Sequence, residues 1–210
     1  MKYTDRQRAR AGGILYLVTH VTSVGAVAAY GAGLVTGGVT LEFALAIGCV
    51  GTGVVLWTLL RDIGPTRATT FALLRAVEAS VIIAGTLPML ATVLTNTPGG
   101  GVTQASGAHA AAFLLGQGLV ISVNTIVLGW LLWDSRTVPR VLAALGTIGG
   151  IVVLTSNLAQ LWAVIPLNGP IAAAAAIPVF AFEIWFAVYL IAVGLRRHEA
   201  TATTSAVPAQ

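Results

Sequence analysis

Apolar positions gather into six continuous runs, at residues 12–35, 41–60, 70–94, 109–133, 141–165 and 171–195. Each is long enough, at about 1.5 Å per residue in a helix, to cross about 30 Å of hydrocarbon. None alternates apolar with polar residues as a membrane β-strand does. The expected fold is therefore all-α, an integral membrane bundle of six transmembrane helices spanning residues 1–198. The connections are short. Residues 61–69 carry Pro65, residues 134–140 carry DSRTVPR, and PLNGP at 166–170 carries no charge. The uncharged, Gly- and Thr-rich stretch 95–108 reads as a loop. The tail 199–210 is polar and low in complexity and is expected to be a disordered cytoplasmic segment.

Composition agrees with the pattern. The chain is 57% hydrophobic and 9% charged, where a soluble domain carries about 25% charged residues. The single cysteine, Cys49, excludes an internal disulfide and a Cys-based metal site. The net charge of +4 does not describe a nucleic-acid surface, because the basic residues sit between the apolar runs. Ten of the eleven Lys and Arg lie at the two termini and in the second and fourth connections. The first, third and fifth connections have none, and Arg75 is the eleventh. By the positive-inside rule both termini are cytoplasmic, in a multi-pass protein of the cell inner membrane. Trp57, Trp130 and Trp133 stand at the same predicted cytoplasmic ends, and Trp162 near an outer one. The first run is longer than the roughly 7–15 apolar residues of a secretory signal and is read as an uncleaved helix. The excess of Arg over Lys, with abundant Ala, Gly and Val, fits a GC-rich bacterial genome.

Small residues four apart, Gly25, Ala29 and Gly33 on the first run and Ala44 and Gly48 on the second, permit close helix approach. Such faces also suit a homo-oligomer.

The candidate chemistry lies inside the membrane. Arg75 and Glu78 are three residues apart, on one helix face. Counted at the helical rise from the cytoplasmic side, Arg75, Glu78 and Glu183 lie roughly 9, 14 and 18 Å deep, and His20 and Asn124 about 12–15 Å. Five polar groups from four helices thus share one layer, with Gln117, Asn157 and Gln160 further out. Arg75 neutralises only one carboxylate, and by sequence the nearer is Glu78. Glu183 is expected to approach the pair, and to be neutral or to bind a cation, because net charge at this depth is costly.

Four phrases carry a resemblance. They are RARAGGILYLVTHV near the start, FALLRAVEASVI in the third run, LLWDSRTVPRVLAALGTIGG across the fourth turn, and PVFAFEIWFAVYLIAVGLR at the end. Together, over nearly the whole chain, they resemble the bacterial family called domain of unknown function 4386. The resemblance implies a small integral membrane protein with several helices. Its name assigns no activity, so it carries over no catalytic residues.

Two function classes remain open. One is a small-solute or proton-linked carrier using the Arg75, Glu78, Glu183, His20 and Asn124 layer, with Pro88 and Pro178 positioned to break helices beside a site. The other is a non-catalytic membrane component that assembles with a partner or responds to the bilayer, in which the layer only fixes helix packing. The expected partners are the lipid bilayer and a small-molecule or proton ligand, with no nucleic acid. No cofactor or metal is expected, since His20, His109 and His198 fall at different levels. An enzyme is disfavoured, since no Gly-x-Ser-x-Gly motif occurs and Ser80 and Ser122 lack an evident base.

Overall fold

A computed structural model describes residues 3–95 and 99–196. It contains α1 (Tyr3–Gly31), α2 (Val35–Leu60), α3 (Pro65–Leu94), α4 (Gly99–Phe113), α5 (Ile121–Ser135), α6 (Arg140–Leu161) and α7 (Pro170–Ala192). The π-helical stretch Leu114–Val120 joins α4 to α5 without a break. With α4 and α5 counted as one rod, six helices are long and apolar enough to cross a membrane. No strand occurs among the described residues.

The helices begin before the apolar patterns that announce them. α1 begins at Tyr3 and takes up the basic residues, then ends at Gly31, ahead of a turn in which Gly33 holds φ +75°. The stretch 95–108 is not a loop as expected, because helix resumes at Gly99. Gly and Thr are weak helix formers, but a backbone without water must bond within itself. Small residues also let α4 lie flat on α3. A Cβ on Gly85 would stand 2.7 Å from the Cβ of Ala112. Residues 96–98 and the tail 199–210 lie outside the described residues.

Pro65 and Pro170 sit in the first turns of α3 and α7, where the missing N–H has no partner to lose. Pro88 and Pro178 do not break their helices as expected. α3 and α7 run through them.

Each rod packs on the next in sequence, and α7 closes on α1, so the six form a ring. Both ends of the described chain lie at one end of this ring. There Arg196 N–H donates to Thr137 O at 2.8 Å, and Arg10 Nε to Ile191 O at 3.4 Å. We call this the terminal end. Arg61, Arg67 and Arg140 lie there over the rings of Trp57, Trp130 and Trp133. The opposite end carries the turns 32–34 and 162–169.

The ring is apolar outside and, halfway along, polar inside. Val21, Ile47, Leu73, Leu87, Ile148 and Val188 are exposed outward, while Arg75, Glu78, Thr52 and Asn124 are buried. Lipid tails are as apolar as leucine, so the hydrophobic effect adds little between these helices, and close packing and polar contacts hold them. In the terminal half Tyr16, Phe71, Leu128, Leu142, Phe182 and Phe186 fill the centre as one cluster. Glycines bring backbones together around it. A Cβ on Gly129 would stand 2.6 Å from Thr147 N, joining α5 to α6. On the α1–α2 seam a Cβ on Gly48 would stand 2.7 Å from Thr19 Cγ2, and one on Gly25 3.2 Å from Leu41 Cδ1.

Candidate functional site

Beyond the aromatic plug the ring is hollow. A cavity of about 530 Å³ reaches from the buried polar layer toward the opposite end. Arg75, Glu78, Cys49, His20 and Glu183 form its floor. Ser23, Gln117, Asn157 and Gln160 stand on its walls, with Tyr30, His109 and Asn168 nearer the opposite end. Val24 and Val27 on α1, and Ala173, Ala176 and Phe180 on α7, line the cavity and are themselves exposed. Close to this level His20 joins the two helices through Phe180 and Glu183. Past that level the cavity is open along the α1–α7 seam.

The floor holds two pairs. In the first, Arg75 Nη1 donates to Glu78 Oε2 at 2.9 Å, and both residues are 2% exposed. Arg75 Nε donates to Thr52 Oγ1 at 3.0 Å, and its guanidinium stands 5.4 Å from the Tyr16 ring centroid. Asn124 Nδ2 donates to Glu78 Oε2 at 2.8 Å, and the Cys49 thiol lies 3.7 Å from Glu78 Oε1. Four helices thus meet on one network in which the buried charges are paired, as hydrocarbon requires.

In the second pair, His20 Nε2 lies 3.3 Å from Glu183 Oε2. The other ring nitrogen, Nδ1, is 2.9 Å from the carbonyl oxygen of Tyr16. An acceptor there obliges Nδ1 to carry a hydrogen. Nε2 and the carboxylate would then face each other with lone pairs, unless a proton sits on one of them. Glu183 accepts no hydrogen bond from the described residues.

The layer is thus brought together at one cavity floor, with a pairing the expectation did not specify. Arg75, Glu78 and Asn124 are bonded to one another, but Glu183 pairs with His20. The reason is topological, since α1 separates α2 from α7 in the ring and presents His20 to Glu183. Both pairs border the same cavity.

A third cluster lies nearer the opposite end. His109 Nε2 is 2.9 and 3.0 Å from the two oxygens of Glu42, and Tyr30 Oη donates to Glu42 Oε2 at 2.8 Å. Glu42 is 3% exposed. Glu42 and His109 thus form a further ionisable pair inside the bundle. Glu42 and His109 were visible as polar letters at the openings of apolar runs. They read as flanks because those runs start six and ten residues after the helices do. Thr52 and Tyr16 left no signal, since a Thr or Tyr in an apolar run is ordinary. Among the described residues no three His, Cys, Asp or Glu side chains converge as a metal set.

A family model for the domain of unknown function (DUF4386) matches residues 11–194. The chain belongs to the DUF4386 family. The match runs from α1 to just beyond α7, so every residue of the three clusters belongs to the DUF4386 region. No curated protein and no solved structure matches the chain.

Proposed function

We propose that this DUF4386 protein carries a small solute, in exchange with or together with a proton, through the cavity of its helix ring. It does so as a multi-pass protein of a bacterial inner membrane with both termini in the cytoplasm. One observation supports this reading above the rest: a cavity of about 530 Å³ ends at mid-bundle on two carboxylates, an arginine and a histidine. Ligand sites typically occupy about 300–1,000 Å³, and transporters hold substrate and coupling ion near the bilayer midplane. The sidedness rests on the gathering of Lys and Arg at the terminal end.

Alternating access tests the reading. In a Cys49→Ala background, a cysteine at Ser156 should react with an impermeant thiol reagent from the side of the 162–169 turn. A cysteine at Leu128, in the plug, should react from the terminal side, slowly and at a rate that falls with Ala176→Trp. If the Leu128 position stays fully protected while the Ser156 position reacts, the cavity is one-sided and no carrier.

A second reading has its own support. Arg75 spends two donors and its π face on the protein, which suits a residue that locks four helices. In that reading the protein is a non-catalytic membrane component, and the same labelling separates the two.

A further inference from the structure

The charge and hydrogen-bonding state of the floor narrows the solute. Arg75 and Glu78 cancel, with Arg75 Nε on Thr52 and the Glu78 carboxylate held by Arg75, Asn124 and Cys49. With Glu78 at 2.9 Å the charge of Arg75 is already balanced, so the pair as a whole favours neither sign of guest. His20 and Glu183 are neutral together while one proton lies between them. When that proton leaves, one negative charge stays on a carboxylate that no described residue hydrogen-bonds. The other titratable groups facing the pair are Arg75 and Glu78 on α3, Tyr16 on α1 and Cys49 on α2. The π-helical stretch and α6 present only uncharged side chains there.

The route to this carboxylate is free of competing cations. Apart from Arg75, every Lys and Arg of the chain lies at the terminal end, beyond the plug or outside the described residues. The route instead passes the Glu42–His109–Tyr30 cluster. The walls are mainly apolar, and Phe180 lies beside His20 at the floor with ring centroids 4.7 Å apart. A wall polar group is also idle. Ser156 Oγ is buried, lines the cavity and has no hydrogen-bond partner among the described residues. A strongly hydrated inorganic ion would leave those apolar walls unused. An organic cation fills them, with an aromatic face beside its charge.

We infer that the solute is a monovalent organic cation with an apolar body, bound at the Glu183 carboxylate in exchange for the proton held between His20 and Glu183. The inference rests on the carrier reading above. Its cation replaces the departing proton charge for charge, so the floor stays neutral through the exchange and the released proton goes to water.

Calorimetric titration of the full chain in phosphatidylcholine nanodiscs tests it with benzyltrimethylammonium, which has no proton of its own to give. Measured in two buffers of different ionisation heat, binding should release about one proton per cation, by linkage. Benzyl alcohol should bind more weakly and release none, and benzoate should not bind. Glu183→Gln should abolish proton release and weaken the cation by roughly tenfold or more, as loss of a buried charge partner does. The wild-type proton count decides without any variant. Cation binding without proton release, or equal affinity in Glu183→Gln, overturns the inference. If benzyl alcohol or benzoate binds and the cation does not, the exchange idea fails while the cavity remains a binding site. If no probe binds, the exchange idea fails again, and thiol labelling decides the carrier reading independently.

Discussion

Gly13 on α1 lies so close to Ala187 on α7 that a Cβ added to it would stand 2.5 Å from the Ala187 carbonyl oxygen. The obstacle is backbone, which cannot swing aside as a side chain does. This contact helps close the ring toward its terminal end. Gly13→Val should therefore cost about 1–3 kcal/mol by overpacking. Unfolding titrations in mixed micelles measure it, and a variant as stable as wild type would show that the two helices are free to part.

The Arg75–Glu78 pair should reveal itself by non-additivity. Arg75→Met alone strands a buried carboxylate and should cost about 3–5 kcal/mol. Arg75→Met with Glu78→Leu removes the stranded charge, and the double variant should be more stable than Arg75→Met. A double-variant cycle on unfolding free energies reads the coupling. Simple addition of the two single effects would mean that water, not the partner, solvates each charge.

Tyr30→Phe should cost about 1.5–3 kcal/mol, because the lost hydroxyl bonds a buried carboxylate. Asp134→Asn weakens a half-exposed pair with Arg67 and should cost less than about 1 kcal/mol. Measured side by side in one detergent, the first effect should exceed the second. The reverse order would place Glu42 in water.

Sidedness has a direct measurement. In a Cys49→Ala background, a cysteine at Leu167, 45% exposed in the 162–169 turn, should react with an impermeant reagent on intact cells. A cysteine at Asp62 in the first basic turn should react only after the cells are opened. Labelling with the two positions interchanged would invert the topology.

The spans were legible because continuous apolarity is a strong and local signal. The Arg75–Glu78 contact was legible for the same reason: three residues along one helix bring two side chains together whatever surrounds them. Glu183 lines the same cavity as Arg75 and Glu78, but its ion-pair partner, His20, was not singled out. Depth follows from counting along one helix, whereas partnership depends on which helices are neighbours in the ring. Glu42 and His109 were hidden by a different effect. A helix in lipid extends through polar and Gly-rich residues that apolarity alone assigns to loops, so both groups sit deeper than the pattern implies. The cavity had no signature at all, because its apolar walls and the lipid-facing surface are written in the same residues.

The π-helical stretch Leu114–Val120 makes the fourth rod tolerant of a change in length at one place only. There the Ile121 N–H reaches back five residues to Gly116 O, the mark of a residue more than an α-helix needs. Deleting Leu115, which is exposed, should let the stretch wind as ordinary α-helix. The helices on either side would keep their orientation, with Asn124 still on Glu78 and His109 still on Glu42. Deleting one residue within α5 instead would turn everything on one side of the cut by about 100° relative to the other, and the span would lose one set of partners or the other. Natural length variation among relatives should accordingly concentrate at this turn, where an inserted residue is absorbed without being transmitted along the helix.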